Sequence, residues 1–113
     1  MANFPLGLLR LAVEDVQAPL VCDQVEYHVL LDQAPLLRYL RAHSMVLIAH
    51  VPLAQGRLAD HPALTRIAAR HGATAVQVAL KWLLDKDGVV AIPKAARVES
   101  QRDNLQQFQM RVF

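Results

Sequence analysis

The segment Met45–Val51, MVLIAHV, is a nearly continuous apolar run that ends at Pro52. Runs of this kind are typical of strands that are buried on both faces of a parallel sheet. Two more short strands are predicted, at Leu20–Tyr27 and in the apolar run from Gly88 to the residue before Pro93. Helical patterns precede, separate and follow these strands. This alternation predicts an α/β fold with about three parallel strands and flanking helices.

Most helix starts carry a recognisable signal. Thr74 and Gln77 form a T-x-x-Q capping box. The last helix is predicted from about Glu99 to Phe108. Three other helices are predicted to begin at a polar N-cap that is followed by a proline two or three positions later. A proline is tolerated in the first turn because the N–H that it lacks would have no partner within the helix. These predicted N-caps are Asn3, Asp32 and Asp60.

Composition narrows the class of protein. The length of 113 residues suits a single unit, residues 1–113, and the 54% hydrophobic content is above the usual range. The formal net charge is only +2 and the basic residues are scattered, which argues against nucleic-acid binding. The single cysteine, Cys22, excludes an internal disulfide. No stretch resembles a membrane span or a signal peptide, and the cytoplasm is the expected location.

Metal binding is not predicted either. The five histidines include no pair at helical i, i+4 spacing and none beside the cysteine, so we expect core or rim histidines rather than metal ligands.

Ligands of α/β proteins gather at the carboxyl ends of the strands. Those ends bring an amide (Gln24), an imidazole (His50) and a cation (Lys94) to one edge of the sheet. Lys94 is followed by small residues and by a helix that starts near Glu99, which together would suit a phosphate group. The alternative is that Lys94 is an ordinary solvated lysine after a strand.

Four segments carry a resemblance to a known family. ANFPLGLL, DQVEYHVLL, AHVPLAQGRL and IPKAAR with its downstream DN are similar, in order and spacing, to the second half of an aldo-keto reductase. The matching part runs from the end of barrel strand five to the helix after strand eight. The resemblance implies a partial (β/α)8 TIM barrel, NADPH as the cofactor, and reduction of aldehydes or ketones.

At the nicotinamide end, the resemblance implies that Asn3 and Gln24 hold the carboxamide. The family's serine before that asparagine is Ala2 in this chain. His50 stands where an aromatic ring usually stacks on the nicotinamide, and Val51 replaces a serine near the pyrophosphate.

At the other end of the cofactor, the resemblance implies that Leu53 lies beside NADPH and that Lys94 pairs with the 2′-phosphate. Asp103 and Asn104 match an acid–Asn pair at the adenine. Ser100 occupies the position of an arginine that often supports the 2′-phosphate. This departure weakens the preference for NADPH and leaves NADH possible.

The family's catalytic Asp, Tyr, Lys and His belong to earlier strands that this sequence does not contain. The resemblance therefore implies a fragment that is inactive alone, with open sheet edges that pair with another copy or with an N-terminal half-barrel. One alternative is a small non-catalytic α/β module that binds a nucleotide or self-assembles. Another is a helix-turn-helix around Gly72, but its outer face offers mainly Gln77 and Lys81, so core packing explains it better.

Overall fold

The computed structural model describes residues 1–106, which contain one sheet of three parallel strands in the order β1-β2-β3. The strands are β1 (Cys22–Glu26), β2 (Val46–His50) and β3 (Val89–Ala91). Each strand is shorter than its apolar run, although flanking residues such as Tyr27 and Ile92 still hydrogen-bond to β2. The predicted parallel α/β arrangement is confirmed.

Helices connect the strands and follow the last one. Within residues 1–106 the α-helices are α1 (Leu6–Arg10), α2 (Ala34–Ala42), α3 (Pro62–Arg70), α4 (Ala75–Leu84) and α5 (Val98–Gln106). A π-helical turn at Leu11–Asp15 continues α1, and a short 3-10 turn at Ala54–Gly56 follows β2. Phe108, the predicted end of the last helix, lies outside the described residues.

Two of the predicted N-caps are wrong. Pro5, not Asn3, occupies the N-cap position of α1, and His61, not Asp60, occupies that of α3. The reason at α3 is steric. Pro62 is the first helical residue, and a proline forces the residue before it into an extended conformation. The cap position is therefore fixed at His61, one residue after the acid.

Asp32 lies one residue before the observed N-cap, Gln33, so this prediction is displaced by one position. Its carboxylate nevertheless accepts a hydrogen bond from the backbone N–H of Ala34 at 2.8 Å. The predicted capping box at α4 is confirmed: the Thr74 hydroxyl accepts from the Gln77 N–H, and the Gln77 side chain accepts from the Thr74 N–H.

The parallel register fixes which residues are neighbours across the sheet. Gln24 lies opposite Ile48, and Glu26 lies opposite His50. On the other side of β2, Ala49 pairs with Ala91. An isolated bridge from Ala2 to Gln24 runs parallel to β1 and extends the sheet by one short contact.

The two faces of the sheet differ in burial. Asp23, Val25, Leu47 and Ala49 are buried beneath the helices, whereas the alternate positions of β1 and β2 are half-buried. The buried face packs against side chains of α1 and α2, and α3 and α4 form a second apolar cluster. Their principal members are Leu9, Leu36, Leu37 and Leu40 in the first cluster, and Leu64, Ala68, Val78 and Ala79 in the second.

Among residues 1–106, no helix combines the length and the apolarity that crossing a membrane requires.

Leu47 offers a direct test of this packing, because it is fully buried in the central strand. We expect Leu47→Ala to lower the free energy of unfolding by about 2–5 kcal/mol, through lost burial and the cavity that remains. Val16→Ala is the matched control, since Val16 is 69% exposed and should change stability by less than about 0.5 kcal/mol. Urea unfolding followed by circular dichroism measures both, and equal effects would contradict the assigned core.

Candidate cofactor site at the carboxyl edge of the sheet

A tight turn at Asn3 brings the start of the chain against β1. The Asn3 backbone N–H donates to the Gln24 carbonyl at 2.7 Å, and the Gln24 N–H donates to the Met1 carbonyl at 2.8 Å. Asn3 has a φ of 59°, a left-handed conformation that asparagine tolerates better than most residues. The side chain of Asn3 is thereby fixed at the carboxyl edge of the sheet, next to β1.

Asp23 supports this turn from beneath. Its Oδ1 accepts a hydrogen bond from the Phe4 backbone N–H at 3.4 Å, while its buried Oδ2 has no partner among the described residues. Burial raises the pKa of the Asp23 carboxyl, and the Phe4 N–H opposes that rise. Sequence reasoning missed Asp23, although an acid at a buried strand position is the signal that could have revealed it.

His50, the last residue of β2, reaches across the sheet edge to the same turn. Its Nε2 lies 3.1 Å from Asn3 Oδ1. Gln24 and Glu26 occupy the same half-buried face on the neighbouring strand. The structure therefore brings Asn3, Gln24 and His50, three of the predicted site residues, to one end of the sheet.

Glu26 contributes a fixed negative charge beside this cluster. The buried ring of His28 donates from Nε2 to Glu26 Oε1 at 2.9 Å, because His28 Nδ1 already accepts from the Leu30 N–H. This hydrogen bond lowers the pKa of Glu26, against a smaller opposing effect of burial. Asn3 and Glu26 also line a cleft of about 550 Å³ that reaches the start of α2.

A groove of about 510 Å³ lies at the end of β2 and β3. Ile92 donates its N–H to the Ala49 carbonyl at 3.2 Å, so the chain leaves β3 in register with β2 and Pro93 then directs Lys94 into the groove. Lys94 forms no ion pair with any described residue. The lining includes Val51, Pro52, Leu53, Val76 and Lys94.

The loop after β2, which forms part of this groove, has unusual backbone conformations. Val51, Ala54 and Gln55 have φ values of 52°, 51° and 55°. A left-handed conformation is unfavourable for a β-branched residue such as Val51, and strain of this kind concentrates at binding sites. The loop after β2 is therefore held in a shape that its own residues do not favour locally.

Asp103 and Asn104 are not brought into this groove. The Asp103 carbonyl accepts a hydrogen bond from Gln77 Nε2 at 2.9 Å, which attaches α5 to α4. Asn104 lines a separate cavity of about 340 Å³, together with Leu80, Val89 and Pro93.

Parallel strands joined by helical crossovers, with polar groups collected at the carboxyl edge, are common to (β/α)8 barrels and open α/β sheets, and the similarity to solved structures assigns this chain to part of a (β/α)8 barrel. The sequence model of the Aldo/keto reductase family matches residues 1–113. The chain belongs to the Aldo/keto reductase family, and the resemblance found in the sequence is confirmed.

Individual relatives and solved structures support the same family membership. An aldo-keto reductase of Mycolicibacterium smegmatis is 39% identical over 111 residues, which cover 91% of this chain but 38% of the relative. The structure of an aldo-keto reductase from Klebsiella pneumoniae in complex with NADP and acetate superposes with a TM-score of 0.87 at 30% identity, covering 96% of this chain and 41% of that one. The thermostable aldo-keto reductase Tm1743 superposes with a TM-score of 0.88 at 41% identity, covering 99% and 43%. This chain thus spans less than half the length of these relatives.

The buried carboxyl under the Asn3 turn generates a pH-dependent prediction. Because burial raises the pKa of Asp23, its stabilising contribution is greatest below the pKa of the unfolded chain and is lost as pH rises through the folded pKa. Asp23→Asn keeps an acceptor for the Phe4 N–H and removes the charge. We expect this variant to raise the thermal midpoint by a few degrees at neutral pH and to lose that advantage in acid.

Thermal melts at a series of pH values measure the difference. Asp15→Asn, an exposed acid on the π-helical turn, is the control and should show no such trend. An advantage of Asp23→Asn that is the same at every pH would contradict the assignment.

Proposed function

We propose that residues 1–113 supply the cofactor-binding rim of an NADPH-dependent aldo/keto reductase and are inactive by themselves. The observation that carries the proposal is that Asn3, Gln24 and His50 lie at the same carboxyl edge of the sheet as the groove lined by Leu53 and Lys94. The reaction is transfer of a hydride to the carbonyl carbon of an aldehyde or ketone, which gives an alcohol.

The nicotinamide end of NADPH fits the cluster formed by Asn3, Gln24 and His50. A carboxamide offers one carbonyl acceptor and one N–H donor group, and the side chains of Asn3 and Gln24 can match both. His50 presents a flat ring at the edge of the same cluster. When bound, the reduced nicotinamide supplies the hydride. The residues of this chain orient the ring by its carboxamide.

The phosphate end fits the groove after β2 and β3. Lys94 is an exposed cation without an ion-pair partner among the described residues, so its charge is available to a phosphate. Leu53 and Val76 provide an apolar wall. The 2′-phosphate of NADPH is the group that we assign to Lys94. We assign the adenine to Asp103 and Asn104 on the resemblance alone. The structure does not support this assignment, since Asn104 lines a cavity separate from the groove of Lys94.

We propose that the chain is inactive by itself because its rim does not supply the acid that the reaction needs. Reduction of a carbonyl also requires an acid that protonates the developing alkoxide. We propose that this acid and the substrate contacts come from the remaining strands of the barrel. Within residues 1–106, β3 pairs only with β2, and Val90 and Ile92 are each 48% exposed. We propose that this open edge pairs with an N-terminal half-barrel.

The second candidate is a non-catalytic nucleotide-binding or self-assembling module. The open edge of β3 favours it, because an unpaired parallel strand is a template for another copy. A defined oligomer that binds no NADPH would support this candidate over the first.

Cofactor binding by the chain is the test of the first candidate. We expect saturating NADPH to raise the thermal midpoint, because a ligand that binds only the native state stabilises it. We expect Lys94→Gln to weaken NADPH binding by about ten-fold, since it removes a charged hydrogen bond to the phosphate. NADH lacks the 2′-phosphate, so its affinity should change little. Isothermal titration measures both affinities.

Arg38→Gln is the matched control, because Arg38 is an exposed cation on α2, away from the groove. It should leave both affinities unchanged. A thermal midpoint that NADPH does not move, or an equal loss for NADPH and NADH in Lys94→Gln, would contradict the proposed role.

A further inference from the structure

The contact between His50 and Asn3 joins the end of β2 to the turn at Asn3. His50 ends β2, whereas Asn3 precedes α1, and 3.1 Å separates His50 Nε2 from Asn3 Oδ1. The contact links residues 47 positions apart in the sequence. It is made by side chains only, so it can be removed without changing the sheet.

The chemistry of the two atoms determines the position of one proton. A side-chain amide oxygen only accepts hydrogen bonds, so Nε2 of His50 must donate. Asn3 Oδ1 then accepts one hydrogen bond, and the Nδ2 group of Asn3, which has no partner within residues 1–106, can offer its N–H donors to a ligand. The Asn3 backbone is already fixed by its hydrogen bond to the Gln24 carbonyl at 2.7 Å. The remaining freedom is the orientation of the amide, and His50 removes it.

Glu26 is the competing acceptor for His50, because it lies opposite His50 in the register. Its Oε1 is already engaged by His28 Nε2 at 2.9 Å. One oxygen of the nearby carboxylate is thus held by a different histidine, and the observed partner of His50 Nε2 is Asn3 Oδ1 at 3.1 Å.

We infer that His50 is a positioning residue that orients the Asn3 amide so that it presents N–H donors to the ligand. This inference rests on the proposed function and deepens it. The group taken at Asn3 is a hydrogen-bond acceptor, the carbonyl oxygen of a pyridine carboxamide, and the matching N–H group of the carboxamide is left to Gln24. Fixing the amide before binding removes part of the entropic cost of binding.

The test compares four substitutions in the full 113-residue chain. His50→Phe keeps a flat ring but has no donor. His50→Gln places an amide nitrogen close to the position of Nε2 and should restore the hydrogen bond. His71→Phe is the control, because His71 is exposed at the end of α3. Circular dichroism reports whether each variant folds, and His50→Leu serves as a second variant without a donor.

Two measurements are made on each variant. The first is the position of the Asn3 side-chain amide resonances in ¹H–¹⁵N spectra before cofactor is added. The second is the dissociation constant of NADPH. We expect His50→Phe to move the Asn3 resonances and to weaken NADPH binding by roughly three- to ten-fold, the effect of one hydrogen bond. His50→Gln restores a donor but not the ring, so it should return the Asn3 resonances to their wild-type positions. His71→Phe should resemble the wild type in both measurements.

Unchanged Asn3 resonances and unchanged NADPH affinity in both variants that lack a donor would overturn the inference. Failure of His50→Gln to restore the Asn3 resonances would also overturn it, since the donor would then not be the relevant property. If the wild-type chain binds no NADPH, the proposed function is contradicted. The Asn3 resonances then decide the positioning role by themselves.

Discussion

The parallel pairing of β2 with both of its neighbours is the constraint on which the rest of the structure depends. It places Glu26 opposite His50 and Ala49 opposite Ala91, so the three strands end at one edge. Because the strands run in the same direction, the residues that follow them meet at that edge although they are far apart in the sequence. Without this register, the Asn3 turn and the Lys94 groove would have no fixed relation to each other.

The alternation of side chains along these strands divides structural from chemical roles. Val25, Leu47 and Ala49 face the helices and are buried. Gln24 and His50 occupy the opposite, half-buried face, where a ligand can reach them. Asp23 is the exception, since it is a buried carboxyl that supports the Asn3 backbone from the apolar side. One strand therefore carries both the residue that positions the turn and an amide at the proposed site.

Much of the fold could be predicted from the sequence, because its signals are local. The apolar runs predict the strands, and the Thr74–Gln77 box predicts the start of α4. The cap assigned to Asp60 failed because proline geometry outweighs the capping preference of a polar residue nearby. Asn3 does not cap α1 because it lies in a left-handed turn that is hydrogen-bonded to the Gln24 carbonyl. The contacts that hold the candidate site could not be predicted, since the His50–Asn3 hydrogen bond depends on tertiary register rather than on local pattern.

The central claim is that one dinucleotide binds along the carboxyl edge of this sheet, and mapping amide chemical shifts during an NADPH titration tests it most directly. The account predicts that the largest shifts occur at Asn3, Gln24, His50, Leu53 and Lys94. Residues at the amino ends of the strands, such as Val21, Met45 and Gly88, should not move. Shifts concentrated at those amino ends, or no shifts at saturating NADPH, would contradict the account.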